Sequence, residues 1–203
     1  MKKAWFDVGA NNGSDSVHVA FENPELFVYG FEPTPEMYNE IQNKISNIKN
    51  YILIKKAVSD FEGKATFNVA GQSDWGCSSL LEFSENSQIE WPGRTDFKVT
   101  QQIEVDVIRL DKFIEDEGID VIEYIHIDTQ GSDLNVLKGL GTKISIVKEG
   151  VMEAAGKDNI LYNKQNSELD SIKFLEENGF IIEKITSNDI HRNEVNIYFK
   201  QKS

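Results

Sequence analysis

Cysteine is almost missing: Cys77 stands alone in 203 residues, so no disulfide can close within the chain, which fits a reducing compartment. Positive charge is scarce as well. Twenty-one Lys and Arg meet 34 Asp and Glu, a formal net charge of −13, and such a surface repels phosphate backbones and anionic lipid. The clearest basic cluster, Lys55-Lys56, is short and lies in a strand-like run. Nucleic acid is therefore not expected as a partner. Long apolar runs are lacking too; each is short and flanked by charge, so no membrane insertion is expected. Asp7 and Gly9 fall where a secretory leader needs an unbroken apolar stretch, which leaves a cytoplasmic protein as the expectation. No internal repeat, low-complexity tract or linker interrupts the chain, and one domain over residues 1–203 is expected. Two nucleotide fingerprints are absent: neither G-x-G-x-x-G nor G-x-x-x-x-G-K-[ST] occurs at the first turn, which disfavours a dinucleotide or a nucleoside triphosphate.

What is present alternates short β-rich runs with helical ones. Strands are expected over residues 4–8, 26–31, 51–58, 64–70, 102–108, 121–127, 144–152, 180–185 and 195–199. Helices are expected over 14–22, over 35–45 behind Thr34 and Pro35, after Asp111 to Gly118, after Ser132, and behind a Ser167/Asp170 capping box with Leu169, Ile172 and Leu175 buried. Strands alternating with helices imply a parallel sheet covered on both faces. The last two strands have no helix between them, which implies one reversed strand at that edge. Residues 71–98 form a long polar loop carrying Trp75, Phe83, Trp91 and Phe97, and a loop of that length is functional more often than idle.

Five segments carry chemistry. Asp7, Gly9, Asn11, Asn12, Gly13 and Ser14 join a strand to a helix through a glycine turn that lets a ligand approach the backbone. Glu32, in G-F-E-P-T-P beside Pro33, ends the second strand about 20 residues later, where a carboxylate grips ribose hydroxyls; the two together imply an adenosine-type ligand. Ser59 and Asp60 follow the third strand, placed to border an adenine or simply to make a polar turn. Asp128, in H-I-D-T-Q-G-S-D, stands at the carboxyl end of a central strand, either binding ligand or capping the next helix. His126 lies two residues earlier, on the same side by strand alternation. Glu153 closes the set, facing either the reaction centre or solvent. Cys77 reads as a small packed residue.

These segments together resemble the FkbM-type methyltransferases: Asp7-Val8-Gly9-Ala10-Asn11-Asn12-Gly13, Phe31-Glu32-Pro33, Ala57-Val58-Ser59-Asp60, Cys77-Ser78-Ser79-Leu80, Leu110-Asp111-Lys112-Phe113, Ile127-Asp128-Thr129-Gln130-Gly131 and Val136-Leu137-Lys138-Gly139, ending in L-x-x-x-G-F over residues 175–180. The resemblance implies a class I, Rossmann-like α/β three-layer sandwich with strand order 3-2-1-4-5-7-6 and strand 7 antiparallel. It implies S-adenosyl-L-methionine as cofactor, an oxygen nucleophile, and sugars, polyketides or other hydroxylated acceptors. Asp7, Gly9, Gly13 and Glu32 carry over as cofactor contacts, with Ser59, Asp60, Ser78 and Asp128 beside them. Two departures stand out. His126 occupies a position that is often Lys, and many members have a segment before the first strand, so this chain is either a minimal form or cut from a longer multidomain protein. It is expected to be fused to or to work with glycosyltransferases.

Methyl transfer is an in-line displacement, so alignment comes first and removal of the hydroxyl proton second. Asp128, Glu153 and His126 are the candidate bases, in that order. Trp75, Ser79, Trp91 and Arg94 are the candidate acceptor contacts, with the aromatics either stacking on a sugar ring or anchoring their loop. No metal cluster is expected. A sugar or glycan hydroxyl, for instance on a deoxyhexose such as rhamnose, is the favoured acceptor. The rivals are a polyketide O-methyltransferase, a NAD-dependent reductase of similar architecture, and a non-catalytic module that binds an adenosine ligand.

Overall fold

The computed structural model describes residues 1–70, 75–94, 97–156 and 161–202, save the side chains of Trp75, Gln88 and Glu90. In chain order it runs β1 (Lys3–Val8), α1 (Val17–Glu22), β2 (Phe27–Phe31), α2 (Pro35–Lys44), β3 (Tyr51–Ile54), β4 (Ala57–Val58), β5 (Gly63–Val69) and α3 (Ser87–Glu90). There follow β6 (Gln101–Ile108), α4 (Leu110–Glu117), β7 (Val121–Ile127), α5 (Asp133–Gly139), β8 (Val147–Ala155), α6 (Glu168–Glu177), β9 (Phe180–Ser187) and β10 (Glu194–Gln201). Single 3-10 segments occupy Trp75–Cys77 and Gly141–Ile146.

The main sheet has seven strands in the order β3-β2-β1-β7-β8-β10-β9, and β10 alone runs antiparallel to both its neighbours. Numbered within this sheet, that is the expected 3-2-1-4-5-7-6. Strand alternation sorts the side chains into two layers. Phe6, Val8, Tyr29, Phe31, Ile125 and Ile127 pack on the side of α4, α5 and α6, with Leu110, Ile114, Leu134, Leu137 and Leu175. Phe6 meets Tyr29, Phe31 and Phe113 edge-on at 5.5, 5.6 and 6.1 Å, the arrangement that ring quadrupoles favour. On the opposite face Ala20 of α1 and Ile41 of α2 cover Val28, with Trp5 packed beside them.

Several local expectations are corrected. The expected third strand splits: β3 stays in the main sheet, while Ala57-Val58 pairs with β6 in a separate three-stranded sheet, β4-β6-β5. The exposed Lys55 marks the break, where the chain leaves one sheet for the other. Leu169 is 77% exposed, because α6 turns only Ser171 and Leu175 fully inward. Arg109, not Asp111, is the residue before α4; Asp111 lies in its first turn and takes two hydrogen bonds from the Arg109 guanidinium, at 3.1 and 2.5 Å. Residues 144–146 belong to a 3-10 segment, so β8 starts later and carries Glu153 inside it. The Ser167–Asp170 capping box is present in both directions.

Candidate functional site

A cleft opens at the carboxyl ends of β1, β2 and β7, the end at which open α/β sheets bind ligands. Three loops build it. At the end of β1, the N–H groups of Gly9 and Ala10 both donate to the Phe31 carbonyl, at 3.1 and 3.0 Å. Gly9 has φ +86°, and a Cβ there would sit 1.9 Å from the Asp128 carbonyl oxygen. Only glycine lets the β1 turn and the β7 turn touch. Gly13, at φ +77°, makes the tight turn but does not line the cleft; a side chain there would meet Val17 and Ile41, so it also serves packing against α1 and α2.

Glu32 is 5% exposed and holds the second loop. Its Oε1 accepts from the Thr34 N–H at 2.7 Å and the Thr34 hydroxyl at 2.6 Å, and Oε2 accepts from the Asn11 N–H at 2.9 Å. Thr34 thus gives its hydroxyl to Glu32 instead of capping α2. A carboxylate offers about four lone-pair sites, so roughly one is left here. Gripping both hydroxyls of a ribose requires one of the present donors to let go. Burial pushes the Glu32 carboxyl up to about 7, although the Thr34 and Asn11 hydrogen bonds pull the other way. Beyond Glu32, the side chains of Phe31, Met37, Val58, Phe67 and Leu80 line an apolar slot, with Pro33 and Ser78 at its wall.

The floor is the turn after β7. The Asp128 N–H donates to the Val8 carbonyl at 2.9 Å, and Asp133 staples the turn by accepting from the N–H groups of Thr129 (2.9 Å) and Gly131 (3.0 Å). Asp128 is enclosed by protein on its inner side and open to the cleft on the other. Gln130, with φ +54°, extends its Nε2 to Asp128 Oδ1 at 2.7 Å and to Glu153 Oε2 at 3.1 Å. Asn188 donates to Glu153 Oε1 at 2.6 Å, and the Tyr162 hydroxyl lies 2.9 Å from both Gln130 Oε1 and the Cys77 carbonyl.

Charge accumulates here. Burial raises Asp128, and Asp7 and Asp15 add to that, while the Gln130 hydrogen bond and His126 oppose it. Burial, then Asp128, Glu194 and Asp133, hold Glu153 well above the carboxylate range. Glu194 rises to about 7 through burial and the charges of Asp128 and Asp189; its Oε1 is buried with no partner among the described residues. Asp133 rises to about 7 for the same reasons, burial first and Asp128 second.

Not every expected residue reaches the cleft. Gly9, Asn11, Glu32, Pro33, Ser78 and Asp128 line it. Asn12 and Ser14 instead close the turn on each other, Ser14 N–H to Asn12 Oδ1 at 3.0 Å. Asp7 lies on the opposite face of the sheet, 1% exposed, bonded through Oδ1 to His126 Nδ1 at 2.9 Å. His126 opens there onto a second groove with Trp5, Tyr124 and Tyr198, because the chain bends past the end of β7 and turns Asp128 the other way. Burial works against a charge on the ring, yet the hydrogen bond and charge of Asp7 carry it up to about 9. His126 is thus brought to the opposite face of the sheet and not to the cleft. Ser59 is buried and Asp60 exposed, both outside the cleft; Lys56, Ala57 and Val58 line the wall assigned to them.

The acceptor contacts change too. Ser79 is 1% exposed and donates to the Gln130 carbonyl at 2.7 Å, so it supports the floor. Trp91 stands edge-on to Phe97 at 5.6 Å within a cluster that includes Cys77, Leu161 and Tyr162, which is the loop-anchoring alternative. Arg94 lies over the Phe97 ring at 4.3 Å. The Trp75 side chain lies outside the described residues. Sequence reasoning passed over Gln130, Tyr162, Asn188 and Glu194. Gln130 sat inside a quoted motif; the other three carry no local signal, because only the fold brings them to β7. Among the described residues no three His, Cys, Asp or Glu side chains converge as metal ligands.

Comparison with known proteins agrees with this architecture. The sequence model of a family described as "Methyltransferase FkbM domain" matches residues 7–182. The chain is similar to the 2-O-methyltransferase NoeI of Sinorhizobium fredii, 26% identical over 165 residues that span 78% of this chain and 65% of that protein. Among solved structures it resembles a putative rRNA-methylase from Clostridium thermocellum, with TM-score 0.55 and 13% identity over 100% of this chain and 91% of that one. It also resembles Aeropyrum pernix fibrillarin in complex with S-adenosyl-L-methionine, with TM-score 0.55 and 11% identity over 98% of this chain and 66% of that one. At such identities the two structural likenesses speak to the fold.

Proposed function

The chain belongs to the FkbM methyltransferase family and is an S-adenosyl-L-methionine-dependent enzyme, and on that premise we propose that it methylates a hydroxyl oxygen of a sugar or glycan. One observation carries the reading: a carboxylate-anchored, apolar cleft ends directly on Asp128 and Gln130. The residues suit the cofactor. The apolar slot of Phe31, Val58, Phe67 and Leu80 accepts a flat base, Glu32 offers an acceptor to ribose, and Asp128 sets a carboxylate on the floor, where a cation is welcome. When bound, S-adenosyl-L-methionine supplies a methyl group activated on a sulfonium. The chain's own task is to orient the acceptor and take its proton. Asp128 is the proposed base, since it faces the cleft and is held by a donor; a positioned base contributes about 100- to 10,000-fold. His126, which opens onto the other groove, has no part in this reading.

The sugar is suggested by the 2-O-methyltransferase relative, of which the chain covers 65%, and by a floor on which the Asp128 carboxylate and the Gln130 amide offer partners to hydroxyl groups. Family membership sets aside the reductase and the non-catalytic readings. A sugar acceptor in turn suggests work beside glycosyltransferases, in the cytoplasm; among the described residues no helix is long and apolar enough to cross a membrane. The test is incubation with methyl-labelled S-adenosyl-L-methionine and a panel of methyl glycosides, deoxyhexosides such as the rhamnoside included, followed by mass spectrometry. Gain of one CH₂ on a glycoside supports the reading. Labelling confined to a hydroxylated polyketide panel would move the acceptor class.

A further inference from the structure

We infer that Gln130 is the positioning residue that ties Asp128 and Glu153 into a single acid pair holding one proton between them. Its catalytic meaning rests on the reading that methyl transfer takes place above Asp128; its geometry does not. One amide nitrogen has two hydrogens, and Gln130 Nε2 spends one on each carboxylate, at 2.7 Å to Asp128 and 3.1 Å to Glu153. The amide cannot turn over freely. Turned over, it would set its oxygen 2.7 Å from the Asp128 carboxylate with no proton between them, and Ser79 holds the Gln130 backbone carbonyl at 2.7 Å. The residue also keeps a left-handed φ of +54°, a conformation side chains adopt only where their surroundings impose it.

Two carboxylates this close to one donor do not both ionise cheaply in a buried site. The neighbours decide which keeps the proton. Asp128 turns to the cleft, while His126, already bonded to Asp7, lies across the sheet; Glu153 lies among Glu194 and Asp133, with Asn188 donating to its other oxygen. Glu153 is 7% exposed and outside the cleft lining, whereas Asp128 opens to the cleft, where water can stabilise its charge. The proton therefore rests on Glu153, and Asp128 stays ionised with a lone pair turned to the cleft. When an acceptor oxygen gains the methyl group, its proton passes to Asp128. The pair then holds two protons and returns one to solvent before the next turnover. Glu153 is thus a neutral partner and Gln130 the link, a role neither shows in the sequence.

The test needs neither cofactor nor acceptor, so its failure is separable from failure of the methyl-transfer reading. Carboxyl carbons of Asp and Glu are followed by ¹³C NMR across pH in the wild-type chain, with D128N and E153Q used for assignment. In the wild type, Glu153 should keep the protonated shift at pH 7 while Asp128 is ionised. In Gln130→Leu, which removes a donor that favours the charged form, the Asp128 titration should move up by about one pH unit or more. Gln130→Asn and Tyr162→Phe, milder changes at the same link, should move it the same way by less, and they serve if the Leu variant does not fold. Both carboxyls ionised at pH 7 in the wild type, or titrations unmoved in every folded variant, would overturn the proposal.

Discussion

The two ends of the cleft are built in opposite ways. At the Glu32 end, the carboxylate and its donors come from two stretches of chain, residues 8–11 and residues 31–37, joined by Asn11 to Glu32 at 2.9 Å, with Val58, Phe67 and Leu80 adding only apolar wall. At the Gln130 end, one cluster draws on residues 128–130, 153, 162 and 188, from four separate elements. The first end is a pair of loops that a short motif can encode. The second exists only once β8, the Tyr162 segment and the turn before β10 have docked. The carboxylate that would hold a ribose can therefore be written locally, whereas the proton chemistry belongs to the assembled fold.

The contrast can be broken by substitution. The largest effect is expected at the assembled end. Asp128→Asn should lower the turnover of an accepted glycoside by about 100- to 10,000-fold, the range for loss of a general base, while S-adenosyl-L-methionine affinity changes less than tenfold. Steady-state kinetics and calorimetry on the same sample decide it; comparable losses in both would place Asp128 in cofactor binding alone.

A second effect is on stability. The buried carboxyls of Glu32, Asp133 and Glu194 rise to about 7 from ordinary values of 4.5, 3.8 and 4.5, so the folded chain holds these protons more tightly than the unfolded one. Stability from that source is complete below about pH 4 and is lost as the pH climbs through 7. His126, raised to about 9 from 6.5, acts in the same sense at higher pH: its contribution is full below 6.5 and lost through 9. Thermal melts should therefore show Tm falling by several degrees between pH 5.5 and 9. The salt-bridged Asp111 and Glu117 carboxyls, held low by Arg109 and Lys2, lose their share only at more acid pH. A Tm that rises over this window would contradict the burial argument.

The smallest effect sharpens the local end. Asp60 is exposed and outside the cleft, so Asp60→Asn should leave S-adenosyl-L-methionine affinity within about threefold, as surface changes away from a site do. A tenfold loss would restore Asp60 to the adenine wall.

Much of this was legible in the sequence. Alternation and a missing final helix pointed to a parallel sheet with one reversed strand near an edge, and the resemblance supplied the strand order, which holds. Glu32 and Gly9 were legible because their partners lie within about 20 residues or in the facing turn. His126 misled: strand alternation puts residues 126 and 128 on one side, but residue 128 lies past the end of β7, where the pleat no longer applies. Ser79 misled differently, since a hydroxyl in a loop motif looks free until its bond to the Gln130 carbonyl is seen. Glu194 and Tyr162 were invisible, since nothing near them in sequence hints at a buried carboxylate or at the floor of a cleft.

The account stands or falls on Glu32, and calorimetric titration of S-adenosyl-L-methionine across pH 5.5 to 8.5 reads it directly. Ribose hydroxyls donate to the ionised carboxylate, so affinity should weaken by up to tenfold for each pH unit below about 7 and level off above it. In Glu32→Gln the affinity above pH 7 should drop roughly 10- to 100-fold, as for loss of a hydrogen bond to a charged group, and the pH dependence should flatten. Wild-type affinity independent of pH, together with undiminished binding in the Gln variant, would contradict the claim that this carboxylate holds the cofactor.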